Sequence, residues 1–228
     1  MRIHVFQHVS FEDEAAIGDW GRGKNFSITR TRFHEGESPP DPDSYDWLVV
    51  MGGPMGIYDE AEYSWLTREK RAIKEGLETD KRILGICLGA QLLAGVSGGQ
   101  VSPNPEREIG WFPVQRIGGE SWLLKGVPET FDAFHWHGDR FFAPDNGRLL
   151  GMSDGCPAQI IQIGERALGF QFHLESTPER IQALMDNCPE DMAPGAFVKT
   201  KEEIDNTMDR CTEANRIMEA VLENMLQG

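Results

Sequence analysis

Short, wholly apolar runs alternate with longer amphipathic ones through the first half of the chain. Residues 2–6 and 46–51 read as strands, and Trp47-Leu48-Val49-Val50 carries no polar position. A strand apolar on both faces belongs in a sheet covered on both sides. Residues 26–32 form a weaker strand pattern. Residues 62–77 are charged with helical periodicity, residues 81–87 return to a strand, and the small-residue run 88–96 reads as a helix stopped at Gly98-Gly99. This alternation predicts an α/β protein of three layers, a largely parallel mixed sheet flanked by helices.

The second half is richer in strands, expected at 110–117, 130–136, 148–152, 158–164 and 167–173. Thr177-Pro178 starts a helix with proline at its first position, and residues 187–195, with two prolines and two acids, read as a loop. Thr200 and Glu203 compose a capping box. Behind it Ile204, Met208, Cys211, Met218, Val221 and Met225 trace the apolar stripe of one final helix, packed on the core rather than on a partner. The organisation expected is a main domain over residues 1–190, with a C-terminal loop and helix over residues 191–228 packed on it.

Lys and Arg number 22 against 37 Asp and Glu, a formal net charge of −15. A surface that negative repels phosphate backbones and anionic lipid, which argues against nucleic acid and membrane as partners. The first residues lack the apolar region of a signal peptide, and no run approaches the roughly 20 apolar residues of a spanning helix. Cys87, Cys156, Cys188 and Cys211 have no CxxC pairing and no framework spacing, so they read as reduced thiols of a cytoplasmic protein.

Three segments carry candidate chemistry. Gly85-Ile86-Cys87-Leu88-Gly89 lies where a predicted strand becomes a helix. A nucleophile on such a turn is held in a strained conformation, and its neighbours two positions away must be small. The turn also sets the Cys87 thiol at a helix N-terminus, where free N–H groups favour thiolate. His173 and Glu175, at the end of a predicted strand, share one side by alternation, so the carboxylate can orient an imidazole facing a thiol. Met51-Gly52-Gly53-Pro54-Met55-Gly56 follows the buried strand 46–51, and its glycines let backbone amides approach a substrate oxygen.

Together, the Gly-Gly-Pro loop, the Gly-x-Cys-x-Gly elbow extended to Gln91 and the late His-x-Glu resemble the triad-type class I glutamine amidotransferase family, near the glutaminase domain of GMP synthases. The likeness spans roughly residues 46–178. It implies a flavodoxin-like fold, with residues 1–190 as the catalytic domain, and hydrolysis of a γ-carboxamide through a γ-glutamyl thioester. By that resemblance Cys87 is the nucleophile, His173 the general base and acid, and Glu175 the orienting acid. Gly53 and Leu88 supply oxyanion N–H groups, Gln91 helps hold the glutamine, and Gly52 and His137 border the substrate.

Two positions depart from the family pattern. Leu174 stands where proline is frequent, and Trp136 replaces the small serine before His137-Gly138-Asp139. The bulky Trp136 leans toward a modified γ-glutamyl amide or peptide as the small-molecule substrate. A glutaminase subunit serving a separate ammonia-accepting synthetase is the other enzyme reading, and a catalytically silent acidic binding module is the non-enzymatic one. His135-Trp136-His137 with Asp139 also suggests metal ligands, but no third and fourth ligand stand at sensible spacing, so no metal is expected. No nucleotide or redox fingerprint is present, so no cofactor is expected. The charged stretch 106–111 reads as a solvated turn entering the strand 110–117, with a place beside the active site as the alternative.

Overall fold

Ten strands join in a single sheet in the computed structural model, which describes residues 1–228. Strands β1 (Arg2–Gln7), β2 (Ser27–Arg32), β3 (Trp47–Val50), β4 (Arg82–Ile86) and β9 (Ala167–Phe170) form a parallel block in the order β2-β1-β3-β4-β9. This is the doubly wound, flavodoxin-like order, which gathers ligand sites at the carboxyl ends of the strands. Beyond β9 the sheet turns antiparallel through β8 (Ile160–Ile163), β7 (Gly147–Met152) and β5 (Gln100–Arg116). Strand β6 (Thr130–Phe142) pairs with β5 in a long hairpin, and β10 (Phe197–Val198) adds a short parallel edge.

The apolar runs of the parallel block are divided between two cores. Trp47, Val49, Leu84 and Ile86 enter one, whereas Leu48, Val50 and Ile83 enter the other. Helices α1 (Ala15–Gly23), α4 (Pro178–Asn187) and α6 (Cys211–Gln227) cover the first face; α2 (Trp65–Glu78) and α3 (Leu88–Val96) cover the second. Both faces of each strand therefore need apolar side chains, the reason these runs lack alternation. No helix is long and apolar enough to cross a membrane.

The structure corrects several sequence expectations. Helix α1 lies in Glu14–Lys24, where three helical glycines and scattered acids dilute the periodicity. Strand β5 begins at Gln100, and the supposed solvated turn 106–111 is part of it. Glu108 there is fully buried opposite His137, just after an irregularity between Pro103 and Glu108. The C-terminal stripe is split between α5 (Lys201–Asp205), a 3-10 turn at Met208–Arg210, and α6. The capping box of Thr200 and Glu203 forms at α5. Helix α6 is tied down at its end, where Trp20 Nε1 donates to Glu223 (2.8 Å) and Arg82 Nε to the Met225 carbonyl (2.7 Å).

Candidate active site

Cys87 sits between β4 and α3 with φ 51° and ψ −106°. A positive φ of this kind costs a side-chain-bearing residue about 1–3 kcal/mol, so the surroundings must impose it. The Cys87 N–H donates to the Phe170 carbonyl of β9 (2.7 Å), and its own carbonyl accepts from Ala90 (3.0 Å) and Gln91 (3.1 Å). The flanking glycines are required by contact: a Cβ on Gly85 would run into the Gly89 backbone, and one on Gly89 into the Val50 carbonyl. The turn presents Sγ 3.6 Å from the Trp136 carbonyl and 3.6 Å from Gln171 Nε2. Gln171 in turn accepts from Gln91 Nε2 at 3.2 Å.

Strand β9 stops at Phe170, three residues short of the expected end, so alternation is not what pairs His173 with Glu175. The chain then bends along β6, touching it in one isolated antiparallel bridge where the His173 N–H donates to the Phe134 carbonyl (2.7 Å). His173 Nδ1 meets Glu175 Oε1 at 2.8 Å, both side chains being buried. Burial alone would lower the His173 pKa; the Glu175 carboxylate and the neighbouring Cys87 sulfur hold it well above the ordinary imidazole value. Glu175 is placed from two sides. Its carbonyl accepts from the Ala16 N–H of α1 (3.1 Å), and Asn215 of α6 donates to the carbonyls of Leu174 (2.7 Å) and Ser176 (3.0 Å). Leu174 itself is buried, and Asn215 holds the backbone on both sides of Glu175.

The Gly52-Gly53 loop closes the third side. A Cβ on Gly52 would strike the Glu12 carboxylate and come 3.3 Å from His173 Cε1, and one on Gly53 would come 3.3 Å from Leu88 Cδ2. The Gly52 carbonyl accepts from His8 Nδ1 (2.8 Å), whose Nε2 donates to Glu69 Oε1 (2.7 Å) with both side chains fully buried. Burial opposes a charged His8, but Glu69 and the Gly52 carbonyl outweigh it and raise its pKa. Both ring nitrogens face acceptors, so His8 carries both protons. Across a trans peptide the carbonyl and the next N–H point in opposite directions. Anchoring the Gly52 oxygen on His8 therefore turns the Gly53 N–H away from that side.

Above these groups lies a cavity of about 210 Å³ whose floor includes Cys87, Gln91, Gly53 and His173. Trp136 forms a wall, its indole N–H donating to Asp191 Oδ2 (2.9 Å) while Arg107 holds Asp191 Oδ1 (2.7 Å). Glu12 and Asp139 face the same space, and burial raises the pKa of each. His137 also lines it, as does Cys188 at the end of α4. Leu88 stands next to the cavity as the first residue of α3, and Gly52 backs onto His173. The sequence signals did not reach His8, Glu12, Asp191 or Asn215, and the stretch holding Arg107 was read by preference as solvated charge. The expected loop 187–195 and the supposed solvated turn both supply cavity walls. The companion of His135 and His137 is Glu108 rather than Asp139, whose carbonyl takes the His137 Nδ1 proton at 3.1 Å.

Fold and cavity together are those of a class I glutamine amidotransferase. The family model described as glutamine amidotransferase class-I matches residues 22–190, and the chain belongs to that family. It is 34% identical over 199 residues to the glutamine amidotransferase-like protein YfeJ of Salmonella typhimurium, covering 85% of this chain and 83% of that protein. It is 38% identical over 130 residues to the GMP synthase [glutamine-hydrolyzing] of Lactococcus lactis, covering 56% of this chain but only 24% of the synthase. Among solved structures, a glutamine amidotransferase from Thermotoga maritima superimposes with a TM-score of 0.90 at 29% identity, covering 100% of this chain and 99% of that one. A glutamine amidotransferase from Methylobacillus flagellatus gives 0.93 at 25% identity, covering 99% and 94%. Family membership implies hydrolysis of a glutamine amide.

Proposed function

We propose that the chain hydrolyses glutamine or a γ-glutamyl amide through a γ-glutamyl thioester on Cys87. The observation carrying this reading is His173, which bonds Glu175 at 2.8 Å and shares one cavity with a cysteine held at φ 51°. His173 takes the thiol proton and Sγ attacks the amide carbon. The oxyanion that forms is stabilised by the N–H groups of Gly53 and Leu88, the former aimed by the His8–Glu69 anchor. His173 then returns the proton to the leaving nitrogen, and ammonia or an amine departs. Water, deprotonated by the same imidazole, opens the thioester and frees glutamate and Cys87. Glu175 holds the tautomer and balances the imidazolium. Gln91 and Gly52 border the substrate with His137, and Arg107 offers its guanidinium to the α-carboxylate.

Trp136 favours a substrate larger than glutamine, because its ring presents an apolar wall to whatever is attached at the γ-nitrogen. The likeness to GMP synthases supports a second reading, in which ammonia passes to a separate synthetase partner. Initial rates on glutamine and on several γ-glutamyl amides, with no other protein present, separate the two. The hydrolase reading expects faster turnover of an amide than of glutamine, narrowed by Trp136→Ser, abolished by Cys87→Ala, and cut roughly 100- to 10,000-fold by Glu175→Gln. Preference for free glutamine, or turnover that begins only when a second protein is added, would hand the function to the second reading.

A further inference from the structure

Glu108, His135 and His137 converge beside the cavity, and the thioester chemistry uses none of them for proton transfer. The antiparallel register sets Glu108 opposite His137 and Gly110 opposite His135, and residues two apart on a strand share a face. All three side chains are buried. His137 Nε2 lies 3.1 Å from Glu108 Oε2 and 3.4 Å from His135 Nδ1, and the third side of the triangle is 3.7 Å.

Those separations have two consequences. His137 Nδ1 faces the Asp139 carbonyl and its Nε2 faces a Glu108 carboxylate oxygen, so nitrogen and oxygen meet there across a proton or a metal ion. The circle through three atoms so spaced has a radius of about 2.0 Å, the length of a Zn–N or Zn–O bond. Separations near 3.4 Å are also close to the edges of a tetrahedron built on such bonds.

The geometry points to a site for a divalent transition-metal ion, of which zinc is the best fit, held by Glu108, His135 and His137. Two imidazoles and one carboxylate suit zinc and its neighbours and disfavour magnesium or calcium. The outer contacts of two of the three ligands are in place. The second ring nitrogen of His137 is fixed by a carbonyl, and Glu108 Oε1 accepts from Ser153 Oγ at 2.7 Å. Gln159 Nε2 donates to Glu108 Oε2 at 2.6 Å and to Ser153 Oγ at 2.9 Å, so this amide holds the carboxylate beside the two imidazoles. A water molecule would complete the four ligands of such an ion.

The ion touches no reacting atom. It pins the β5 irregularity next to Arg107 to the β6 segment whose Trp136 carbonyl faces the Cys87 sulfur, and so stiffens the cavity wall. The test uses untagged, chelator-stripped Cys87→Ala protein, so that the active-site thiol cannot take the metal itself. Titration with Zn²⁺ against a chromophoric chelator at neutral pH should show one equivalent bound, with affinity falling at least about 100-fold in His135→Phe. The phenyl ring keeps the packing between Phe112 and Phe172, and His135→Asn serves should that chain not fold. Cobalt bound in place of zinc should show the visible bands of a four-coordinate ion. Less than a tenth of an equivalent in the parent protein, or equal affinity in the His135 variants, overturns the assignment.

Discussion

The four cysteines are chemically unequal. Burial pushes the thiols of Cys156 and Cys211 up to about 12 and that of Cys188 up to about 11, which leaves almost no thiolate at neutral pH. Cys87 sits instead at a helix N-terminus, in a cavity, against an imidazole held well above its ordinary pKa. A glutamine-like electrophile in limited amount should therefore label Cys87 at least about 10-fold faster than any other cysteine, since the thiolate is the reactive species. Peptide mapping after a short exposure reads this directly. Equal labelling of all four would remove Cys87 from the nucleophile's place. Cys188 is the sharpest control, because it lines the same cavity without the imidazole pair.

At the level of elements, the turn from β4 to α3 is held by close backbone approach. Strand β3 is paired on both sides, to β1 and to β4, so it cannot retreat from a methyl group placed on Gly89 against the Val50 carbonyl. Gly89→Ala should lower stability by about 1–3 kcal/mol or more, as overpacking in a full core does. Urea denaturation should show a lower midpoint at unchanged slope. A midpoint equal to the parent's would mean that α3 can shift outward, and the elbow would not need its second glycine. The same turn explains the weight of a short motif: small residues two positions either side of Cys87 are a steric demand of the local chain path, and this demand is visible before any fold is known.

On the scale of the whole molecule, the buried imidazole of His4 makes stability sensitive to acid. His4 bridges Thr29 and Thr31 through its two ring nitrogens (2.7 and 2.8 Å), and burial lowers its pKa to about 4 from 6.5. Between those values the unfolded chain binds a proton that the folded chain refuses, so stability falls as the pH drops from 6.5 toward 4. For His4 alone the loss by pH 4.5 is about 2–3 kcal/mol, at roughly 1.4 kcal/mol per pH unit. His4→Gln should therefore lie closer to the parent in stability at pH 4.5 than at pH 7. A gap that stays constant with pH would show that His4 takes up a proton as readily folded as unfolded.

Local chemistry and chain periodicity settled a good deal from the sequence. Val49 and Val50, feeding opposite cores, declared a sheet covered on both faces. The small residues around Cys87 declared a strained strand–helix turn, and the late His173-x-Glu175 declared an acid following its histidine. Each of these is a demand that neighbouring residues make on one another, so the chain states it openly. The remainder depended on residues far apart in sequence meeting across the sheet. Asn215 clamps Glu175 only because α6 packs beside the loop after β9, and His8 orients Gly52 only because β1 and β3 are adjacent strands. Glu108 looked solvated because charge in a Pro-rich stretch ordinarily faces water. Its burial opposite His137 follows from the register of β5 on β6, which no local pattern encodes. Tertiary structure alone decided these placements, because each is a contact between elements whose own patterns are satisfied without it.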